Sequence, residues 1–237
     1  MPSSINEIKA QLSAKKKAQK PLPWIDGLST GSTLLNLACS GNPDVGFVPG
    51  LFYHLVGDST SGKTWLSLTG LAEASINQRY KGHRFIFDNG ENGALMDVQR
   101  FFGKAVQERM EPPVGTKKDP SYSSTVEEFF RNTDAAFKVG EPFIYVQDST
   151  DILESETERK KQGKQDRAAV AGKEETGNYG TQRAKEFTSR IRGMYNRLRD
   201  DGKSIVIMVT QTRDKIGFGA MFGDGKTHSG GNAFKFY

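Results

Sequence analysis

The segment Gly57-Asp58-Ser59-Thr60-Ser61-Gly62-Lys63-Thr64 constrains this chain more than any other, because it satisfies G-x-x-x-x-G-K-[ST] between an apolar run and a helical pattern. The run LFYHLV (51–56) precedes it and the apolar-periodic WLSLTGLAEASINQRY follows it, so the local order is strand, glycine loop, helix. Three further runs, RFIFD (84–88), FIYVQD (143–148) and SIVIMVTQ (204–211), are too short for helices and end on polar residues. They read as buried strands of a parallel sheet. Helical patterns lie between them. In STVEEFFRNTDAAF, Val126, Phe129, Phe130, Thr133 and Phe137 share a face, and Ser124 with Glu127 offers a capping box. In TQRAKEFTSRIRGMYNRLR, Ala184, Phe187, Ile191, Met194, Tyr195 and Leu198 share one face while Arg183, Arg190 and Arg197 recur on another. Strands alternating with helices predict an α/β fold, a central mostly parallel sheet flanked by helices.

The glycine loop carries a specific chemistry. Gly57 and Gly62 permit the backbone angles that turn successive N–H groups inward, and the helix beyond adds the positive end of its dipole, which together make a phosphate cradle. Gly57, Asp58, Ser59, Thr60, Ser61, Gly62, Lys63 and Thr64, with Trp65 directly after them, are therefore expected to hold a nucleotide. Lys63 would reach the β- and γ-phosphates of ATP, and the Thr64 hydroxyl would ligate Mg²⁺. Such a loop needs a second carboxylate at the end of a neighbouring strand, and Asp148, closing FIYVQD, is placed for it. For activating water, FIFDNGENG offers Asp88 and Glu91. Glu91 is preferred, because Asp88 lies closer to the strand and can cap a turn. Gln211 ends the last strand, where an amide can sense a γ-phosphate. Tyr53, Trp65, Phe101 and Phe102 fit packing better than base stacking, and His54 fits a structural place.

Charge and composition narrow the partners. Lys and Arg exceed Asp and Glu by 33 − 28 = +5, a mild bias toward a polyanion. At 35% hydrophobic and 26% charged residues, with no run near the ~20 apolar residues of a spanning helix, a polytopic membrane protein is excluded. The first residues, MPSSINEIKAQLSAKKKAQK, show no apolar signal region, and the single cysteine, Cys39, fits a reducing cytoplasm. Residues 1–24 are expected to form a short basic helix, with Ile5, Ile8 and Leu12 on one side and Lys15 to Lys17 after it, plus a linker containing Pro21 and Pro23. Residues 25–237 would form the main unit. Within it, 154–180 and 213–231 are Gly-rich and polar, and read as long loops with a functional role.

These residues together resemble the RecA family of ATP-dependent DNA strand-exchange proteins. GDSTSGKT resembles the family's GPESSGKT loop, YVQDS its metal-binding strand end, and VTQTRDKIG, MFG and GGNAFKFY resemble NQIRMKIG, MFG and GGNALKFY. The last block is the specific one, since phosphate loops are shared by many ATPases. The resemblance implies a RecA-like ATPase core in which Glu91 activates water, Lys63 contacts phosphates and Gln211 couples ATP to DNA binding. It implies that residues 154–180 and 213–231 are the DNA-binding loops, with Arg213, Lys215, Ile216, Gly230, Gly231 and Asn232 on single-stranded DNA, and with Arg183 and, seven residues later, Arg190 also DNA-binding, Arg190 at the backbone. Basic side chains and loop N–H groups can track phosphates, and Ile216 or Phe222 can wedge or stack at bases.

The sequence departs from the family at three places. Glu91 sits in DNGENGAL rather than DAEHAL, the two loops are longer, and the chain stops at Phe236-Tyr237 in the middle of the family's core, as a fragment or a minimal variant would. The leading expectation is a cytoplasmic, DNA-dependent ATPase that forms filaments on single-stranded DNA and acts in strand exchange with duplex DNA, recombination and repair. One alternative is a non-catalytic, nucleotide-gated annealing or mediator protein. Another is a ring-forming helicase motor on the same fold.

Overall fold

A computed structural model describes residues 27–91, 96–161, 180–214 and 226–228. In chain order these form α1 (Thr33–Ser40), β1 (Phe52–Gly57), α2 (Lys63–Ile76), β2 (Arg84–Asn89), α3 (Val98–Phe102), α4 (Lys104–Arg109), β3 (Met110–Glu111), β4 (Val114–Gly115), β5 (Pro120–Ser121), α5 (Val126–Val139), β6 (Phe143–Asp148), α6 (Gly180–Asp201), β7 (Ile205–Asp214) and β8 (Lys226–His228). The main sheet runs β1-β7-β6-β2-β3, all parallel, with β8 antiparallel on the far end of β7; β4 and β5 make a separate small ribbon.

The sheet is legible residue by residue because alternate side chains of each strand face opposite ways. Phe85 and Phe87 of β2, Ile144 and Val146 of β6, and Ile205 and Ile207 of β7 pack with Leu68, Leu71 and Ala74 of α2 and Phe102 and Val106 of α3 and α4. Their neighbours Ile86, Phe143, Tyr145, Val206 and Met208 pack on the other face with Val126, Phe129 and Phe130 of α5 and Phe187, Ile191, Met194 and Leu198 of α6. The product is a three-layer α/β/α unit with two apolar cores. Parallel strands covered on both faces are buried along their whole length, which is why FIYVQD is apolar from Phe143 to Val146 and buried at every position, its polar end Gln147 and Asp148 included.

Local signals set the ends. Ser32 caps α1 by accepting from the Leu35 N–H, and Gly41 closes it in the left-handed region. The capping box of α5 sits one residue later than the expected Ser124 and Glu127: the Thr125 hydroxyl accepts from the Glu128 N–H at 3.1 Å, and Glu128 accepts from the Thr125 N–H at 3.1 Å. The shift has a visible reason. Glu128 also accepts from both the N–H and the hydroxyl of Ser124, at 2.8 and 2.6 Å, so one carboxylate gathers the whole entry turn while Glu127 reaches the Glu156 N–H at 3.1 Å. These donors hold the Glu128 carboxyl below its ordinary value, despite a partial burial that pushes the other way.

Strand β7 runs three residues past the expected end at Gln211, into the segment read as the second loop, because β8 pairs with Thr212, Arg213 and Asp214. Strand β3, two residues long, had no apolar run to announce it. The basic helix expected within residues 1–24 lies outside the described residues, as do 162–179, 215–225 and 229–231 of the two expected loops. Among the described residues, no helix is long and apolar enough to cross a membrane. Replacing Thr125 with Ala is expected to lower unfolding stability by about 1 kcal/mol, and Glu128→Ala by more because three backbone and side-chain donors lose their acceptor; urea titrations of both variants check the order.

Candidate nucleotide-binding site

Parallel strands end at one edge of the sheet, and the register decides which terminal residues meet there. Gly57 of β1 pairs with Gln211 of β7, and Asn89 of β2 pairs with Asp148 of β6. The loop that leaves Gly57 wraps back to start α2 at Lys63. Two residues take left-handed backbone to do so: Gly62, the helix N-cap, at φ 85°, and Thr60 at φ 61°. A cleft of about 410 Å³ opens over this edge, lined by Ser59 to Trp65 together with Glu91, Asp148 and Gln211. The structure therefore brings the expected phosphate-loop, metal-side, water-side and sensing residues to one place.

Inside the cleft, the Thr64 hydroxyl donates to Asp148 Oδ2 at 2.6 Å. Asp148 is 3% exposed, and burial is the main reason its carboxyl lies above the ordinary value; the Thr64 donor opposes this, the nearby Glu91 charge adds to it, and Lys63 opposes it. Lys63 folds over the loop, its ammonium donating to the carbonyls of Gly57 and Asp58 at 3.0 and 2.6 Å and reaching Ser61 Oγ at 3.4 Å. Carbonyl oxygens are partners a phosphate can replace. The exposed Glu91 is oriented by the Ser149 hydroxyl, which donates to Glu91 Oε1, and its N–H approaches the Asp148 carbonyl at 3.4 Å.

Gly90 makes this turn possible. A Cβ there would sit 2.0 Å from Ile152 Cδ1 and 3.2 Å from the Ser123 carbonyl oxygen. Asp88 takes a different place from Glu91. Fully buried, it accepts from the Ser123 N–H and hydroxyl at 2.8 and 2.5 Å and from the Tyr145 hydroxyl at 2.6 Å, with its carboxyl raised by burial. It ties the end of β2 to β6 and to the segment before α5 and takes no part in the cleft.

Trp65 is 44% exposed at the cleft mouth, with the ring of the buried Phe102 at 4.7 Å and that of Phe101 at 5.3 Å. The expected DNA-facing arginines lie on α6. Arg183 donates to the carbonyls of Asp151 and Leu153 at 3.0 and 3.2 Å, and the exposed Arg190 pairs with Glu186 at 3.2 Å. Arg197 bridges to Asp134 of α5 at 2.8 Å. Arg213 lies on β7 where it pairs with β8. Lys215, Ile216, Phe222, Gly230, Gly231 and Asn232 lie outside the described residues.

Sequence reasoning passed over Ser149, Thr150, Asp151, Thr210 and Thr212. The Thr150 and Thr210 hydroxyls meet at 2.5 Å, and His54 Nε2 meets the Thr210 hydroxyl at 2.5 Å. The sequence signal was present: Thr-Gln-Thr at a strand end opposite Asp-Ser-Thr-Asp at another places small hydrogen-bonding side chains where two strand ends converge.

The donor set suits Mg²⁺. A hydroxyl and a carboxylate are hard oxygen ligands, and this ion keeps several waters rather than a full protein cage. Among the described residues, no group of three or more His, Cys, Asp or Glu side chains could hold a metal ion.

No family model matches the chain. It is similar to the RecA proteins of Zymomonas mobilis subsp. mobilis, 28% identical over 219 residues, of Clostridium perfringens, 27% over 229, and of Rickettsia canadensis, 28% over 226. These matches cover 90%, 95% and 95% of this chain and 51%, 55% and 57% of the relatives. The chain thus spans about half the length of the curated relatives it matches. The similarity supports a relation to the RecA family.

A raised carboxyl in the folded state disfavours the ionised form, so the Asp148 contribution is favourable below the unfolded value of 3.8 and is lost as pH rises through the folded one. Asp148→Asn is therefore expected to raise the thermal midpoint at pH 7. The stability difference should shrink as pH falls toward 4, which thermal melts across pH test directly.

Proposed function

We propose that this chain is an ATP-dependent, single-stranded-DNA-binding ATPase of the recombinase type, acting in a filament of its own copies. The observation that carries the reading is the cleft in which the phosphate loop, Asp148, Glu91 and Gln211 converge. Similarity to the RecA proteins over most of the chain supports it. On this reading the N–H groups of residues 59–63 and the start of α2 receive the phosphates, and Lys63 exchanges its carbonyl partners for the β- and γ-oxygens. Thr64 and Asp148 would hold Mg²⁺, which when bound neutralises phosphate charge. Glu91, kept in place by Ser149, orients and deprotonates the attacking water. Gln211 senses the γ-phosphate from the adjoining strand end. Single-stranded DNA would bind through Arg190 and Arg213 and through Lys215, Ile216, Phe222, Gly230, Gly231 and Asn232, by backbone tracking and stacking with little base preference. Residues 25–237 would be the ATPase core, with 1–24 as an appended basic segment.

A second reading keeps nucleotide and DNA binding and drops turnover. It is favoured by one observation: one of the two Glu91 carboxylate oxygens already accepts from the Ser149 hydroxyl, which leaves only Oε2 to take a proton from water. Phosphate release with and without single-stranded DNA separates the two. The proposed ATPase gives DNA-stimulated release that Lys63→Ala abolishes and that Glu91→Gln lowers by about 10²–10⁴-fold with ATP affinity retained. Tight ATP-dependent DNA binding with no release above the Lys63→Ala background establishes the non-hydrolysing reading instead.

A further inference from the structure

Strand β7 outruns its neighbour β1. Gly57 is the last residue of β1 and pairs with Gln211, so Thr212, Arg213 and Asp214 continue alone on that side and become the stem of the ribbon with β8. A strand end leaving a sheet needs new partners for its backbone and side chains. Here they come from two directions. On one side the Gln211 N–H donates to Asp151 Oδ2 at 2.6 Å. On the other, the Thr212 hydroxyl donates to Asp58 Oδ1 in the phosphate loop. Asp151 is used twice, since its carbonyl accepts from Arg183 at 3.0 Å. Arg183 in turn stands three residues into α6, and its own N–H approaches Glu158 Oε1 at 3.3 Å.

We propose that Asp151 and Thr212 are positioning residues that lock Gln211 between the phosphate loop and the root of α6. A nucleotide-dependent movement of Gln211 is thereby carried both to the β7–β8 ribbon and, through the Asp151 backbone and Arg183, to the start of α6. The proposal rests on the reading of Gln211 as the γ-phosphate sensor and adds to it the residues that transmit its position. The geometry favours a stiff coupling. The Thr150–Thr210–His54 hydroxyl and imidazole contacts fix the residues just before Asp151 and Gln211 against each other and against β1, so a shift of Gln211 is passed on at its two free sides. Charge-assisted bonds to Asp58 and Asp151 are the stronger kind, and each joins segments far apart in sequence. Coupling between two sites requires such a discrete element contacted from both.

The test is the ratio of affinities for a fluorescent oligothymidylate with and without a slowly hydrolysed ATP analogue, read by anisotropy in the full chain. Asp151→Ala and Thr212→Val remove the acceptor and the donor. They are expected to shrink the ratio by roughly fivefold or more. For Asp151→Ala, ATP affinity stays within about twofold, as expected for a residue that transmits rather than binds. Asp151→Asn and Thr212→Ser keep the acceptor oxygen and the hydroxyl, so they should retain most of the wild-type ratio. A merely structural role would instead lower the melting temperature in step with DNA affinity in both nucleotide states, leaving the ratio unchanged, and that result overturns the proposal. So does an unchanged ratio in all four variants. If the wild-type chain binds ATP but its DNA affinity ignores the nucleotide, the recombinase reading fails, and hydrogen exchange then decides the relay. ATP-induced protection at Gln211–Asp214 and at the start of α6 that disappears in Asp151→Ala supports it. No ATP-induced change at those amides overturns it.

Discussion

The register of three parallel strands governs everything at the candidate site. Because β1, β7 and β6 run in one direction side by side, Gly57, Gln211 and Asp148 emerge at the same edge, and the loop after Gly57 has only one direction in which to turn and still begin a helix that covers the sheet. A slip of one residue in any pair would turn each strand's side chains to the opposite face. The two apolar cores prevent that slip, since Ile144 and Val146 belong to one and Phe143 and Tyr145 to the other. Core packing and site geometry are therefore the same constraint seen from two sides of the sheet.

Much of this was legible in the chain itself. The four main strands and the three long helices follow from apolar periodicity, and the phosphate loop from its two glycines and Lys63. What escaped had identifiable causes. Strand β3 is two residues paired along one edge of β2, stabilised by the sheet it joins rather than by its own composition. The extension of β7 depends on β8, a partner that local pattern cannot supply. The capping box moved by one residue because a single glutamate can satisfy several donors at once, and sequence spacing does not say which hydroxyl wins. Arg183 shared a stripe with Arg190 and Arg197, yet its guanidinium turns toward the carbonyls of Asp151 and Leu153. Side-chain direction on a helix is set by what lies across from it.

Three carboxylates stand near one sheet edge, and their surroundings divide them. Asp88 is buried among two hydroxyls and a backbone N–H, a set that satisfies its oxygens and leaves it little to do beyond holding β2, β6 and the approach to α5 together. Asp148 is nearly as buried but has one strong donor, the Thr64 hydroxyl, and a neighbouring like charge at Glu91, so its charge is poorly compensated. The Lys63 charge and the Thr64 hydroxyl offset part of the cost of its burial. Glu91 stands exposed and held by a single hydroxyl, the environment of a group free to change partners.

Under the proposed reading this division has a direct consequence for how nucleotide binding becomes movement. Thr64 donates to Asp148 and Lys63 to loop carbonyls, contacts that a metal–nucleotide complex would replace. Asp58 is then the critical neighbour, because its carbonyl takes the Lys63 ammonium while its carboxylate takes the Thr212 hydroxyl. A rearrangement of Lys63 toward phosphate frees the Asp58 carbonyl and acts on the same residue that anchors the stem of the β7–β8 ribbon. The strand that ends at Gln211 is thus tied to the phosphate loop through both ends of one residue, so a change of partner at one end reaches the other.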